Sequence, residues 1–221
     1  MIVRPEPGAT STVERAKKLG LDACAMPLFV IEAFGWQAPD ADAFDGLLLT
    51  SASAVHYGGE QIDPFRGLPV HAVGKATAQA ARGAGFTVAS VGNGGVEQLL
   101  RSIAPDLRLL HLCGEHRIAF NAGQAVTSVP VYRSSELPVP GDLRAVAGQV
   151  AAIHSPRAGR RFAQLAVEAG IDRSTVRIAA ISAAAAVAAG SGWDQVAVAA
   201  TPDDRALLAL AARLCDKPVT I

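Results

Sequence analysis

Small hydroxyls and glycines recur at the ends of short apolar runs in this chain, and these are the residue types best placed to do chemistry. Thr50, Ser51 and Ser53 follow one run, and Gly74, Lys75 and Thr77 follow the next. Gly114 to Arg117, then Ser155 to Arg157, and finally Ser182 close three more. In open parallel sheets, ligands lie beyond the C-terminal strand ends, where helix N-termini present backbone N–H groups. Glycines and short hydroxyls let those amides approach a phosphate or a carboxylate closely. The same Ser and Thr side chains can equally cap the helices they precede. Both roles stand open for each.

Other catalytic patterns are missing. No G-x-G-x-x-G follows the first apolar run, and Gly92-Asn-Gly-Gly95 has the wrong spacing and place for a dinucleotide fingerprint. There is no Walker A lysine pair and no G-x-S-x-G elbow. His111, Cys113 and His116 form H-x-C-x-x-H, unlike the common zinc spacings, and read as packed residues of an apolar run. His56, His71 and His154 lie singly near element ends, with no visible partner. Without a nucleophile or a carboxylate pair, an anion-binding cleft catalyses by positioning and by holding a reactive cation.

The elements that must hold these residues alternate between two periods. Strand candidates are Met1–Val3, Ala23–Met26, Gly46–Thr50, Pro69–Val73, Thr87–Val91, Arg108–Leu112, Ala151–His154, Arg177–Ile181 and Gln195–Ala199. Amphipathic stretches lie between them, at Thr12–Leu19, Ala76–Ala84, Val96–Ile103, Gly159–Ala169 and Asp204–Leu214. This alternation predicts an α/β fold of right-handed βαβ units and mainly parallel sheets. Leu28–Trp36 and Val129–Leu137 break the rhythm. They read as connectors between two lobes, paired as an antiparallel ribbon, or as ordinary edge strands.

The pattern is also written twice, about a hundred residues apart. Gly46-Leu-Leu-Leu-Thr-Ser-Ala-Ser53 resembles Val150-Ala-Ala-Ile-His-Ser-Pro-Arg157, aligning Ser51 with Ser155. His71-Ala-Val-Gly-Lys-Ala-Thr-Ala78 resembles Ala179-Ala-Ile-Ser-Ala-Ala-Ala-Ala186, each ahead of an alanine-rich helix.

Composition fits. The 221 residues are half apolar and only 5% aromatic, so alanine, valine and leucine carry the hydrophobicity, as parallel sheets covered by helices require. Basic and acidic residues balance at 20 each, against the basic excess of a nucleic-acid binder. Three scattered cysteines argue against a disulfide framework and for a reducing compartment. Met1-Ile-Val-Arg-Pro does not begin a signal peptide, and the alanine-rich run Ile178 to Gly192 is too short for a membrane span. A cytoplasmic monomer is the expectation, with no membrane or nucleic-acid partner.

Several segments, taken in order, resemble a known family. They are Arg4-Pro5, Asp45-Gly-Leu-Leu-Leu-Thr-Ser-Ala-Ser-Ala-Val55, Val70-His-Ala-Val-Gly-Lys-Ala-Thr-Ala78, Leu112-Cys-Gly114, Val131-Tyr132, Ile153-His-Ser-Pro156 and Ile178-Ala-Ala-Ile-Ser182. Together they look like uroporphyrinogen-III synthase. The resemblance implies two flavodoxin-like lobes with parallel sheets, joined by a two-stranded β ladder, and an active site in the cleft between them. One lobe would be residues 1–33 and 138–221, the other residues 34–137.

The implied substrate is linear hydroxymethylbilane, a polycarboxylate, with transient contact with hydroxymethylbilane synthase. No metal or organic cofactor takes part. Tyr132 matches the tyrosine that assists departure of the hydroxyl in such enzymes, and Thr50, Ser51, Ser53, Gly74, Lys75, Thr77, Gly114, Arg117, Ser155, Arg157 and Ser182 are the implied binders. Many relatives carry Gly and Thr where this chain has Ser182-Ala-Ala-Ala185, so hydroxyl contacts are lost there; Arg157, Arg160 or Arg161 would compensate. The rivals are a non-catalytic two-lobed sensor or binding protein for a small anion, and a glycosyltransferase-like enzyme whose only Asp-x-Asp, Asp40-Ala-Asp42, falls in a loop.

Overall fold

A computed structural model describes residues 1–117 and 119–215. The last residues of the expected first lobe, 216–221, lie outside the described residues. In chain order the elements begin with α1 (Gly8–Lys18), β1 (Phe29–Ala33), β2 (Gly46–Leu49), α2 (Ser53–Tyr57), β3 (Val70–Val73), α3 (Lys75–Gly83), β4 (Val88–Gly92) and α4 (Val96–Arg101). They continue through β5 (Arg108–Gly114), β6 (Ala125–Glu136), β7 (Val150–Ile153), α5 (Pro156–Glu168), β8 (Arg177–Ala180), α6 (Ala183–Ala189), β9 (Gln195–Val198) and α7 (Asp204–Cys215). No helix among the described residues is long and apolar enough to cross a membrane.

The chain divides into two compact units, one of Met1–Val30 with Glu136–Ile221, the other of Ile31–Ser135. In the continuous unit the parallel strands run β6-β5-β2-β3-β4, with β1 hydrogen-bonded outside β6. β1 and β6 are antiparallel: Phe34 N–H donates to Val131 O, and Leu137 N–H to Leu28 O. The connectors therefore pair as an antiparallel two-stranded ribbon, which continues past the last β5 partner at Tyr132. β6 starts at Ala125, earlier than the expected Val129, and its first half is built into the sheet beside β5.

The discontinuous unit has β7-β8-β9 as its regular sheet. Met1–Val3 and Ala23–Met26 contribute single parallel bridges rather than strands, Ile2 lying between Ala25 and Ala152. Counting them, the order is Ala25, Ile2, β7, β8, β9. That is the order of the other unit, with the first two positions, those of β6 and β5, supplied from the start of the chain.

Side-chain alternation builds both cores. In the continuous unit Leu47, Leu49, Leu110 and Leu112 pack on one face of the sheet with Phe65 and Ala78, while Leu48 and Leu109 pack on the other with Leu99 and Leu100. In the discontinuous unit Ala151, Ile153 and Ile178 meet Phe162 and Trp193 on one face, and Ala152 and Ala179 meet Leu207 and Leu208 of α7 on the other. Helices α5 and α6 touch at Gly159, where an added Cβ would stand 2.8 Å from Ala185 O.

Candidate functional site

A cavity of about 350 Å³ opens at the C-terminal strand ends of the continuous unit. Thr50 and Ser51 line it from the end of β2, Val73 from β3, and His111, Cys113 and Gly114 from β5. His116, Arg117 and Phe120 come from the irregular stretch after β5, and Tyr132 from β6. Five of the residues expected from sequence thus meet in one place: Thr50, Ser51, Gly114, Arg117 and Tyr132.

The register of β5 and β6 sets Tyr132. Pairing runs Cys113 with Pro130 and then, across a bulge, Gly114 with Tyr132. A bulge re-aims a side chain, and here it lays the phenol ring against Gly114. An added Cβ at Gly114 would stand 2.8 Å from the ring and 3.1 Å from the phenol oxygen. Gly114 is required for the absence of its side chain, and the ring fills that space. Burial raises the Tyr132 pKa, opposed in part by hydrogen bonds with the Ser51 hydroxyl and the Gly114 backbone. The phenol therefore keeps its proton at neutral pH.

His111 forms the inner wall. It is 1% exposed, with Nε2 3.0 Å from Thr50 Oγ1 and Nδ1 3.1 Å from Ser128 Oγ. Phe120 closes on the imidazole edge-on at 5.4 Å. Burial, helped by the nearby Arg117 charge, pushes the His111 pKa down to about 4. The ring is neutral, and two hydroxyls satisfy it. Burial likewise raises the Cys113 thiol, which leaves it a packed side chain against Val129 O at 3.5 Å rather than a nucleophile.

The remaining expected residues lie elsewhere. Ser53 donates its backbone N–H to Ser51 Oγ at 3.2 Å, a local turn at the start of α2. Gly74 has φ +85°, open to glycine and strained for other residues, and directly precedes α3. Lys75 lies on a separate groove with Gln79, Arg82 and Asn93, and Thr77 is buried on the inner side of α3. In the discontinuous unit, Ser155 caps α5 by accepting from Ala158 N–H at 3.1 Å, and Ser182 caps α6 by accepting from Ala185 N–H at 3.3 Å. The Arg157 guanidinium lies over the Phe29 ring at 4.4 Å. Arg161 donates to Leu137 O at 2.9 Å and pairs with Glu136 at 3.3 Å; it clasps the chain beside β6.

Two histidines that show no partner in the sequence have one in the fold. His71 Nδ1 is 2.8 Å from Ser90 Oγ, and His154 Nε2 is 3.0 Å from Asp204 Oδ1. Both pairs join adjacent elements distant in sequence, so no local motif announces them. His111, Ser128 and Phe120 are site residues that sequence reasoning misses. The available signal for His111 is alternation along β5, which puts it on the side of the sheet opposite Leu110 and Leu112.

The sequence model of a known family, uroporphyrinogen-III synthase HemD, matches residues 10–209. Among solved structures, this chain is similar to the uroporphyrinogen-III synthetase of Helicobacter pylori. The TM-score is 0.67 at 16% identity, covering 87% of this chain and 93% of that one. It is also similar to a mutant uroporphyrinogen III synthase from the extremely thermophilic bacterium Thermus thermophilus, with TM-score 0.52 at 17% identity, over 98% of this chain and 100% of that one. At these identities the likeness shows the fold. A search of curated proteins finds no match.

Proposed function

The chain belongs to the uroporphyrinogen-III synthase family, and on that premise we propose that it closes hydroxymethylbilane to uroporphyrinogen III as a cyclising hydro-lyase. The substrate loses its terminal hydroxyl as water and leaves an azafulvene cation. The far terminal pyrrole attacks through its substituted carbon, and the resulting spiro intermediate fragments and recloses with ring D inverted. One proton goes to the leaving oxygen and one is released from the closing pyrrole. We place the protein in the cytoplasm as a monomer, in transient contact with hydroxymethylbilane synthase.

The observation that carries this reading is the Tyr132 phenol, lining the cavity, protonated, and fixed by Ser51 and by the bare Gly114 backbone. A phenol so held can donate to the departing oxygen. A neutral His111 suits the next step, since an imidazolium on that wall would repel the azafulvene cation. Thr50, Ser51 and Arg117 are the groups on the same cavity that can receive carboxylate arms.

The test is incubation with freshly generated hydroxymethylbilane, followed by oxidation and separation of the isomers. Type III product supports the proposal, and type I alone, the isomer of spontaneous closure, refutes it. Tyr132→Phe is expected to lower turnover roughly a hundredfold with little change in KM. Unchanged turnover would return Tyr132 to a packing role.

A further inference from the structure

At the corresponding strand ends of the discontinuous unit stands an ionic cluster that no sequence motif assembles. Arg4 follows Ile2 and Val3, His154 follows β7, and Asp204 opens α7 after β9; Thr12 and Arg15 reach it from α1. The Asp204 carboxylate accepts from Arg15 Nε at 2.6 Å, from Thr12 Oγ1 at 3.0 Å and from His154 Nε2 at 3.0 Å. Arg4 Nη1 lies 3.6 Å away.

Two guanidiniums face one carboxylate, so the cluster carries an excess positive charge even with His154 neutral. Burial, seconded by the Arg4 charge, lowers the His154 pKa, although the Asp204 hydrogen bond opposes this. The arrangement is also layered. Side chains of His154 and Asp204 are 7% and 17% exposed, whereas Arg4 and Arg15 are 34% and 48% exposed. The carboxylate is turned inward and the cations are left at the edge.

Arg4 is held there against the helix dipole. A Cβ at Gly8, the first residue of α1, would stand 2.5 Å from Arg4 Nε, so the guanidinium lies on the first turn of that helix. This end carries the positive pole, where a cation is disfavoured. A salt bridge that served stability alone would gain more elsewhere.

We propose that Arg4 and Arg15 form a carboxylate-binding subsite, with Asp204 and His154 as positioning residues that hold both guanidiniums toward one incoming carboxylate. For the identity of the ligand, an acetate or propionate arm of an acidic tetrapyrrole, this rests on the reading above. The subsite gives this unit the side-chain anion contact that Ser182-Ala-Ala-Ala185 lacks.

The test uses uroporphyrin, which carries the same acetate and propionate arms and needs no turnover. Its binding is followed by fluorescence for the wild type, Arg4→Gln, Arg15→Gln, Gly8→Ala and, as a control, Arg144→Gln, whose guanidinium bonds Ala169 O. Each glutamine substitution at Arg4 or Arg15 is expected to weaken binding about tenfold and to flatten its salt dependence. Gly8→Ala keeps every charge and displaces only Arg4, so it should weaken binding severalfold while the thermal midpoint holds or rises. Arg144→Gln should bind like the wild type. No uroporphyrin binding by the wild type, or equal affinity in Gly8→Ala and in whichever arginine variants fold, overturns the subsite. The outcome is separable from the isomer assay: type III product with unchanged affinities removes the subsite alone, and weakened variants without type III product remove the enzymatic reading alone.

Discussion

The two units lay out the same five strand positions in the same order, yet they furnish the C-terminal edge differently. The residue after β2 is Thr50, bonded to His111; the residue after the equivalent β7 is His154, bonded to Asp204. Arg117 follows β5 as Arg4 follows the Ile2 segment. The divergence lies in the next connection. In the continuous unit the described residues between β5 and β6 form no helix, and a cavity of about 350 Å³ remains. In the discontinuous unit α1 occupies that crossover, bringing Thr12 and Arg15 onto Asp204. One edge keeps hydroxyls and Arg117 around a hollow, and the other fills the place with an ionic cluster. The crossover, more than the strands, decides what chemistry a duplicated sheet can offer.

The largest effect expected from this contrast is on acid stability. Folded His111 titrates at about 4 against an ordinary value of 6.5. Between those values the unfolded chain binds a proton that the folded chain refuses. Stability from neutral His111 is therefore full above about 6.5 and falls as pH drops toward 4, by up to about 3 kcal/mol. His111→Gln should remove most of that dependence in denaturant midpoints measured at pH 7 and 4.5. His154→Gln should change it less, because the Asp204 hydrogen bond offsets the burial of His154. Equal effects of the two substitutions would break the comparison.

Next in size is Gly114→Ala. The added methyl would meet the Tyr132 ring at 2.8 Å, so the phenol must shift or the strands must part. Misplacing a catalytic group by about an ångström costs roughly a hundredfold in turnover, and overpacking adds about 1–3 kcal/mol of instability. Turnover corrected for folded fraction is the measurement. A variant that folds and turns over normally would show that Tyr132 has slack.

Much of this is legible in the sequence. Apart from the two connectors, the regular strands fall within a residue or two of the apolar runs, because Gly, Pro or a polar residue bounds each one, whereas Met1–Val3 and Ala23–Met26 form only single bridges. The repeat is legible for the same reason, and the connectors because they break the alternation, although β6 begins four residues before the expected Val129. Helix α1 is not: it starts at Gly8 rather than the expected Thr12, since Gly-Ala-Thr-Ser has no apolar period and Pro7 at the N-cap has no capping side chain, the Glu6 carboxylate accepting from Thr10 N–H instead. For the site, position along a strand identifies Thr50, Ser51, Gly114 and Tyr132. The same rule covers Arg4, His154 and Asp204, but their meeting joins residues 4 and 204, at opposite ends of the chain, and depends on the fold alone. Hydroxyl chemistry draws attention to Ser155 and Ser182, whose side chains the helices already use.

That last point yields the smallest prediction and the sharpest contrast between the units. By sequence alone, Ser51 and Ser182 are both candidate anion-binding hydroxyls at strand ends. Ser182 accepts from Ala185 N–H at the start of α6, a seven-residue helix made almost wholly of alanine, and such a cap contributes about 1 kcal/mol. Ser51 instead bonds the Tyr132 phenol and lines the cavity. Ser182→Ala should lower the unfolding free energy by about 1 kcal/mol and leave kcat and KM alone. Ser51→Ala should do the reverse, lowering turnover severalfold with little loss of stability, as expected for one hydrogen bond worth about 1 kcal/mol. If Ser182→Ala raises KM instead, its hydroxyl serves substrate as well as the helix, and the two edges are more alike than their geometry implies.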